Sequence, residues 1–273
     1  NIRLYNIDAP IVVNSSDYGV PQSRERVLFI GCRKDQLLIQ HIPATIAPET
    51  KVSVYEAISD LDFINNGEEI TEYLEAEPLQ EYEYLKRRRN IDGVLEDEGL
   101  LYSDWSRQGR LNHRFTFDQE HVYARTNADL YAGNIIKDRT LYNHQTSRQS
   151  VDVMERLNTI VQYGEYNEDC KRELRERGLM SNKRNYTVLN PAGLSPTVVT
   201  MPDDFIHYSA HRCMTVREMA RLQSFDDNFI FQGKRTTGGE MRKSEVPQYT
   251  LVGNAVPPLM AKAIGNVILN MIN

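Results

Sequence analysis

Three polar side chains near the start of the sequence are spaced for joint chemistry. Gln22, Arg24 and Arg26 occupy every second position after the turn residues Gly19 and Pro21. Because side chains alternate between the two faces of an extended chain, this spacing predicts one amide and two guanidinium groups on the same face. A guanidinium group is a rigid fork of N–H donors that suits a phosphate or a base carbonyl. The alternative is a surface strand whose arginines are only solvated.

The residues around this trio predict the strands that position it. Residues 9–14 and 26–33 are apolar runs on either side of a turn at residues 15–21, a pattern typical of a β-hairpin. Both runs are nearly continuous, which is typical of strands covered on both faces, so we expect a larger sheet than these two strands can supply. Residues 197–200 (Thr-Val-Val-Thr) predict one further short strand.

Two capping boxes predict the starts of helices. In this pattern a Ser or Thr side chain caps the helix, and a Glu three residues later caps the first residue in return. Ser53 and Glu56 have this spacing, and so do Thr215 and Glu218.

Helical spacing of apolar residues predicts three more helices. Residues 151–161 and 167–177 have the pattern of scaffold helices. The pair Pro257-Pro258 stands where a terminal helix begins. Just before it, Gly253-Asn254 permits close approach of the backbone and offers an amide donor and acceptor. Taken alone, such a pair is usually an ordinary turn.

These segments resemble three motifs of the DNA cytosine-5 methyltransferases. Residues 18–31 (Tyr-Gly-Val-Pro-Gln-Ser-Arg-Glu-Arg-Val-Leu-Phe-Ile-Gly) resemble the family's eighth motif, which contains a glutamine and two arginines. Residues 212–225 resemble the ninth motif and residues 253–258 the tenth. The order of the motifs and the long variable stretch between them are those of the family. The resemblance covers the whole chain, which corresponds to the C-terminal half of such an enzyme.

The resemblance implies an α/β fold. It implies an incomplete class I, Rossmann-like methyltransferase sheet together with a mixed α+β target recognition domain. Residues 1–62 would be the last strands of the catalytic domain, residues 63–244 the target recognition domain with the ninth motif, and residues 245–273 the returning helix of the tenth motif. In the family the ninth motif mainly holds the recognition domain together, so we expect structural roles for Arg217 and Glu218.

Six residues of the chain take roles from this resemblance. The family transfers a methyl group from S-adenosylmethionine to C5 of a cytosine flipped out of duplex DNA, after a cysteine thiolate attacks C6. By resemblance, Arg26 would contact the flipped base, and Arg24 would support the base or the loop that carries the nucleophile. Gln22 would orient these two arginines or line the DNA cleft. The residues expected at the cofactor are Gly253, Asn254 and Ala255.

Two basic regions are expected to contact DNA. Residues 101–150 are rich in arginine, aromatic residues and Asn, Gln or His, which are side chains that contact phosphates and base edges. This stretch includes Tyr142-Asn143-His144-Gln145 and is where we expect sequence recognition, although for each single residue a place in the core or rim is the alternative. Residues 233–243 form a basic, glycine-containing loop. The individual candidates are Arg107, Arg110, Arg114, Arg125, Lys234 and Arg235.

The sequence lacks the nucleophile of the family. None of the three cysteines, Cys32, Cys170 and Cys213, follows a proline as that nucleophile does. A Glu-Asn-Val segment and a Phe-x-Gly-x-Gly cofactor loop are also missing, and all three features belong to the half that precedes the eighth motif. We therefore expect this chain to be inactive alone and to need a methyltransferase half as partner. The alternatives are a non-catalytic, sequence-specific DNA-binding subunit and an unrelated interaction domain.

Composition narrows the remaining classes of protein. The 273 residues have a formal net charge of −6 at pH 7, so any contact with DNA must come from a local basic face. Three cysteines without a C-x-x-C pair predict neither a disulfide framework nor a metal site, and they fit a bacterial cytoplasm. Residues 251–272 are apolar but interrupted by polar residues and prolines, which favours a buried amphipathic helix over a membrane span.

Overall fold

The computed structural model describes residues 5–7, 9–72, 141–225, 227, 229–236 and 245–272. In these residues the protein has the predicted mixed α/β fold, with small sheets. The strands are β1 Tyr5–Ile7, β2 Ile11–Asn14, β3 Glu25–Leu28, β4 Gly31–Arg33, β5 Thr187–Val188 and β6 Phe205–Ile206. The helices are α1 Val54–Ile58, α2 Val151–Tyr163, α3 Glu168–Glu176, α4 Val216–Leu222, α5 Gln248–Asn254 and α6 Pro258–Ile272. The domain boundaries expected from the sequence remain predictions.

The predicted hairpin is present, with one break. β2 and β3 pair in antiparallel register, with Val13 opposite Arg26, and β1 pairs with β4 farther along the same two segments. The second predicted strand is divided because the ladder stops between Leu28 and Gly31. Pro10 would be the next partner in the register after Ile11, and it has no N–H group with which to continue the ladder.

One face of the hairpin is packed and the other is bare. On the inner face, Val13 is buried together with Met260 of α6. On the outer face, Val12, Val27 and Phe29 are 63%, 55% and 74% exposed; we call these three residues the outer hairpin face. The prediction that both faces are covered is therefore wrong for the described residues, because none of them packs over this side.

The main core lies between α1, α4 and α5. Both predicted capping boxes are present: Ser53 and Glu56 cap α1, and Thr215 and Glu218 cap α4. Each box pairs backbone N–H groups that the first turn of a helix leaves without a partner. The caps thus fix where α1 and α4 begin. The buried apolar residues between the three helices include Val54, Ile58, Met219, Leu222 and Val252.

The helices α2 and α3 form a second packed unit, as helical spacing predicts. Asn167 caps α3, since its side chain accepts a hydrogen bond from the backbone N–H of Cys170 (2.9 Å). The cluster extends to Ile206 of the short parallel pair β5–β6. Its helical members are Leu157, Ile160, Cys170 and Leu174, all buried.

The apolar C-terminal stretch is divided into two helices. By length and composition alone, Gln248–Met271 could cross a membrane, and it is the one such stretch among the described residues. Residues 255–257 interrupt it and separate α5 from α6. The expected buried amphipathic helix is confirmed for the side of α6 that carries Met260. It is wrong for Leu269, which is 55% exposed.

Candidate functional site

Gln22 and Arg24 lie inside the protein, where they join segments that are far apart in the sequence. Gln22 is fully buried; its amide nitrogen donates to the carbonyl oxygen of Leu222 (3.3 Å), and its amide oxygen accepts from the backbone N–H of Val198 (2.8 Å). The Arg24 guanidinium donates to the carbonyl oxygens of Val198 and Gly253, each at 3.2 Å. Contrary to the prediction, Val198 is not part of a strand, because these side chains bond its backbone instead.

Arg26 is the most accessible member of the trio. Buried or half-buried residues alternate with exposed ones from Gln22 to Arg26, which confirms the predicted common face. Arg26 is half-buried, and its guanidinium donates to the carbonyl oxygen of Glu25 (2.6 Å). Burial lowers the pKa of Arg24, and the nearby positive charge of Arg26 lowers it further. Because Gln22 is enclosed by protein, it does not line a cleft in the described residues, and its orienting role stays a prediction.

The tenth-motif segment is held against the trio. Gly253 and Asn254 are the last residues of α5, and the terminal helix begins only at Pro258. A Cβ added to Gly253 would lie 2.7 Å from the carbonyl carbon and oxygen of Val199, which requires glycine at this position. The bond from Arg24 to the Gly253 carbonyl then links the eighth motif directly to the tenth.

The residues expected at S-adenosylmethionine fit one wall of a binding site. Asn254 is exposed, Ala255 is half-buried, and the neighbouring Val256 is 59% exposed. An exposed amide beside an exposed apolar side chain suits a ligand that has both polar and apolar groups. Cofactor contact itself stays a prediction.

The ninth motif contains buried ion pairs. The Arg212 guanidinium donates to both oxygens of the Glu218 carboxylate (2.7 and 2.9 Å), and Arg221 pairs in the same way with Asp227 (2.7 and 3.0 Å). We call these four residues the α4 ion cluster; each is at most 2% exposed. Burial alone would raise the pKa of Glu218, but the charge and hydrogen bonds of Arg212 outweigh it and hold the pKa below its usual value. The expected structural role of Glu218 is confirmed.

Arg217 is also structural. It is fully buried, and its guanidinium donates to the carbonyl oxygens of Tyr142 (2.9 Å) and Phe229 (2.7 Å). Asn143 completes the contact, since its amide bonds both the N–H and the C=O of Phe231. Tyr142 and Asn143 therefore help to join two loops. They were expected in the DNA-recognition stretch, and that expectation is wrong for Asn143, whose amide is already bonded within the protein.

Two histidines lie next to the α4 ion cluster; His144 belongs to the stretch expected to recognise DNA, whereas no sequence pattern singled out His207. The Nδ1 atom of His207 lies 3.2 Å from the backbone N–H groups of Ser209 and Ala210, so it is an acceptor and the ring is neutral. His144 bonds the hydroxyl of Thr215 through Nδ1 (3.0 Å). Burial lowers the pKa of each imidazole to about 4. His144 is thus an interior residue and not a reader of DNA bases.

Two of the three cysteines lie in the interior of the protein. Cys170 and Cys213 are buried, and burial raises the pKa of both thiols, for Cys213 to about 11. A raised pKa keeps a thiol protonated and unreactive. Neither of these two cysteines is suited to attack a base.

In the described part of the basic loop, Lys234 is the more exposed cation and Arg235 the more enclosed one. The Lys234 side chain is 61% exposed and pairs with Glu245 (2.8 Å). The Arg235 guanidinium is half-buried and donates to the hydroxyl of Ser147 (2.9 Å). Lys234 is therefore the better placed of the two for a phosphate contact. The other DNA-binding candidates, Arg107, Arg110, Arg114 and Arg125, lie outside the described residues.

Comparison with known proteins gives a consistent picture. Residues 4–270 match the family described as C-5 cytosine-specific DNA methylase. The chain is similar to the type II methyltransferase M.DdeI of Desulfomicrobium norvegicum, with 32% identity over 275 residues that cover 96% of this chain and 56% of that protein. It is also similar to the type II methyltransferase M.AquIB of Picosynechococcus, with 33% identity over 135 residues that cover 49% of this chain and 91% of that protein.

The fold has a solved relative as well. A crystal structure described as that of a DNA modification methyltransferase encoded within a prophage of E. coli matches with a TM-score of 0.53 and 25% identity. The match covers 98% of this chain and 61% of that protein. With 56% of M.DdeI covered, the chain spans about half the length of such curated relatives.

Proposed function

Because the chain belongs to the C-5 cytosine-specific DNA methylases, we propose that it is the C-terminal part of a type II DNA (cytosine-5-)-methyltransferase. In this proposal it supplies target recognition and parts of the base and cofactor pockets, and a cysteine outside this sequence supplies the nucleophile. The observation that carries the proposal is the bond from Arg24 to the carbonyl oxygen of Gly253. It places the strand of Arg26 beside the segment that carries Asn254, so base and cofactor contacts would share one site.

Arg26 is the residue of this chain that we assign to the reacting base. Attack of a thiolate on C6 of cytosine puts negative charge into the ring, and a cation that donates hydrogen bonds to the ring oxygen stabilises that charge. Arg26 keeps solvent access, whereas Arg24 is bonded on both sides within the protein. Arg24 and Gln22 then act by holding the strand on which Arg26 lies.

Asn254 and Ala255 are the residues that we assign to S-adenosylmethionine, together with the backbone of Gly253. When bound, this cofactor supplies the methyl group. The chain contributes an exposed amide and an anchored backbone, since Gly253 packs on Val199 and is bonded by Arg24. An anchored backbone holds a ligand with little loss of entropy on binding.

The exposed apolar side chains of the outer hairpin face favour a partner chain that completes the enzyme. Val12 and Val27 are register partners, and Phe29 follows on the same side of the strand, so the three exposed side chains form a continuous apolar patch. Such patches on a soluble protein mark interaction sites. The partner in this proposal is the methyltransferase half that carries the Pro-Cys nucleophile. M.AquIB is matched over 91% of its length by only 135 residues, so a curated type II methyltransferase can be a short chain.

Duplex DNA is the proposed substrate, in the cytoplasm of a bacterium. Lys234 is exposed and suited to a phosphate contact, and Arg235 lies beside it. The arginine-rich stretch with Arg107, Arg110, Arg114 and Arg125 is assigned to recognition of the DNA sequence.

The test is methyl transfer to duplex DNA by the complex of this chain with a methyltransferase half that carries the Pro-Cys nucleophile. We expect Arg26→Ala to lower the rate about 100- to 1,000-fold, the usual loss when one donor to a developing negative charge is removed. Arg33→Ala is the matched control, because Arg33 lies on the same hairpin and pairs only with the exposed Asp35 among the described residues. An active complex with an unaffected Arg26→Ala variant would contradict the role of Arg26. DNA binding without any methyl transfer would favour a non-catalytic DNA-binding subunit.

A further inference from the structure

The corner that follows α4 touches both sides of the proposed cofactor segment. Gln223, the residue after α4, is fully buried, and its amide nitrogen donates to the carbonyl oxygen of Val252. Ser224 is also fully buried, and its hydroxyl accepts a hydrogen bond from the backbone N–H of Leu259 (3.3 Å). Val252 precedes residues 254–257 and Leu259 follows them. Two adjacent residues of the ninth motif therefore bracket the connection between α5 and α6.

These contacts bind backbone groups at the end of α5 and in the first turn of α6. The last carbonyl groups of a helix have no partner within the helix, and a left-handed glycine often caps them. In α5 the residue after the helix is Ala255, in extended conformation, so that cap is missing. The backbone N–H of Ala255 bonds the carbonyl oxygen of Val252 (3.2 Å), and Gln223 gives this oxygen a second donor. The carbonyl oxygen of Gly253 accepts from Arg24. Side chains from other segments thus add to the cap at the end of α5.

Two features indicate that this corner is built for position more than for stability. Ser224 has a φ of +62°, a left-handed conformation that is unfavourable for serine. The amide oxygen of Gln223 is buried and makes no hydrogen bond with the described residues. An apolar side chain of similar size would avoid the unpaired oxygen, but it would leave the Val252 carbonyl without this donor.

We propose that Gln223 and Ser224 are positioning residues for residues 254–257, and through them for S-adenosylmethionine. This inference rests on the proposed function, which assigns Asn254 and Ala255 to the cofactor. Neither Gln223 nor Ser224 would touch the cofactor, because both are fully buried. The corner is itself held firmly, since Arg221, two residues before Gln223, is bonded to Asp227.

The test compares cofactor binding and DNA binding in the complex with the methyltransferase half. Gln223→Met keeps the size of the side chain and removes its donor, and Ser224→Gly removes the hydroxyl while it relieves the left-handed strain. We expect each variant to weaken the Kd for S-adenosylmethionine, measured by calorimetry, about 5- to 10-fold, the value of one net hydrogen bond. The Kd for DNA should change less than about twofold, and the KM for the cofactor should rise more than kcat falls.

Leu174→Ala is the control for a purely structural effect. Leu174 is buried in α3 and belongs to a different apolar cluster from Val252 and Ala255, so its loss lowers the midpoint of urea unfolding without a change in the packing around residues 254–257. The proposal is overturned if Leu174→Ala weakens cofactor binding as much as Gln223→Met does. It is also overturned if the wild-type complex binds the cofactor and both corner variants bind it equally well. A wild-type complex that binds no cofactor would overturn the proposed function first, and this inference with it. If Gln223→Met does not fold, Ser224→Gly decides.

Discussion

The α4 ion cluster and the outer hairpin face are opposite exceptions to the usual distribution of residues. The cluster places four charged side chains where apolar residues normally lie, and each is at most 2% exposed. The outer hairpin face places three large apolar side chains in solvent, each more than half exposed. The cluster completes its bonds within this chain, whereas the outer hairpin face has no cover among the described residues.

The α4 ion cluster has its bonding partners within this chain, whereas the outer hairpin face is left exposed by the described residues. Buried charges are tolerated when they are paired and hydrogen-bonded, and Arg212 and Glu218 meet both conditions. A contiguous exposed apolar patch lowers its free energy only when something covers it. We therefore expect the stability of the ninth-motif region to depend on its own ion pairs and not on a partner chain. For the outer hairpin face, we expect substitutions to weaken partner binding while they change the stability of the isolated chain little.

Breaking the cluster should have the largest effect. Glu218→Gln leaves the Arg212 guanidinium buried without its negative partner, so we expect the free energy of unfolding to fall by about 3–5 kcal/mol. Urea denaturation measures this change. Glu168→Gln is the matched control, because Glu168 pairs with Lys171 on an exposed surface, where its side chain is 76% exposed; we expect a change below about 1 kcal/mol. Equal effects of the two substitutions would contradict the contrast.

Acid pH should have the second-largest effect, a loss of stability that originates in the same region. His144 and His207 have a pKa of about 4 in the folded protein and 6.5 without these surroundings. Between these values the unfolded chain binds protons that the folded chain does not, so stability falls as the pH is lowered from 6.5 towards 4. At pH 5 the loss is about 2 kcal/mol per imidazole.

Urea midpoints at pH 7.5 and pH 5 check this prediction. We expect His207→Gln to reduce the pH dependence, and His41→Gln, at an exposed position, serves as the matched substitution for comparison. A midpoint that is the same at both pH values in the wild-type protein would contradict the buried, neutral state of the two rings.

Substitutions at two glycines test the close contact between Gly253 and the backbone of Val199. Gly253→Ala puts a Cβ against the backbone of Val199 and should lower the free energy of unfolding by about 1–3 kcal/mol. Gly265→Ala is the control in α6, where no described residue beyond the helix's own backbone lies within 4 Å of the added carbon, and it should raise stability by up to about 1 kcal/mol. Opposite signs in urea denaturation support the close approach at Gly253, and two stabilising substitutions would refute it.

Changes at the outer hairpin face should affect the isolated chain least. Phe29→Ser removes an exposed side chain, so we expect its free energy of unfolding to change by less than about 0.5 kcal/mol. Its Kd for the methyltransferase half should weaken at least about tenfold, since a buried aromatic residue is a typical anchor of an interface. Leu37→Ser is the control, because Leu37 is 79% exposed but lies outside the hairpin strands. Equal binding of the partner by both variants would contradict the assignment of the interface to the outer hairpin face.

Local rules predicted much of this structure. The two capping boxes and the alternation from Gln22 to Arg26 depend on neighbouring residues alone, and each is confirmed. The family was identifiable because its motifs combine rare residue types in a set order. The gap opposite Pro10 was also predictable in principle, since proline cannot donate to a ladder.

Features that depend on distant partners were missed. For Gln22 a place lining the DNA cleft was one of two expectations, but its partners Val198 and Leu222 are 176 and 200 positions away, and no local pattern indicates that they meet. The same holds for His144, which lies in a stretch rich in DNA-binding residue types yet is enclosed by the ninth motif. The sequence of the hairpin has the apolar pattern of strands covered on both faces. That pattern does not indicate whether the cover comes from the same chain or from another one.

The most direct test of the account is a methylation assay with this chain alone and with the methyltransferase half added. Incorporation of labelled methyl groups into duplex DNA is measured at equal concentrations of this chain. We predict no incorporation by the chain alone and clear incorporation after mixing, with the reactive thiol supplied by the added half. Methylation by the chain alone, or a stable complex that methylates nothing, would contradict the claim that these residues form one part of a shared active site.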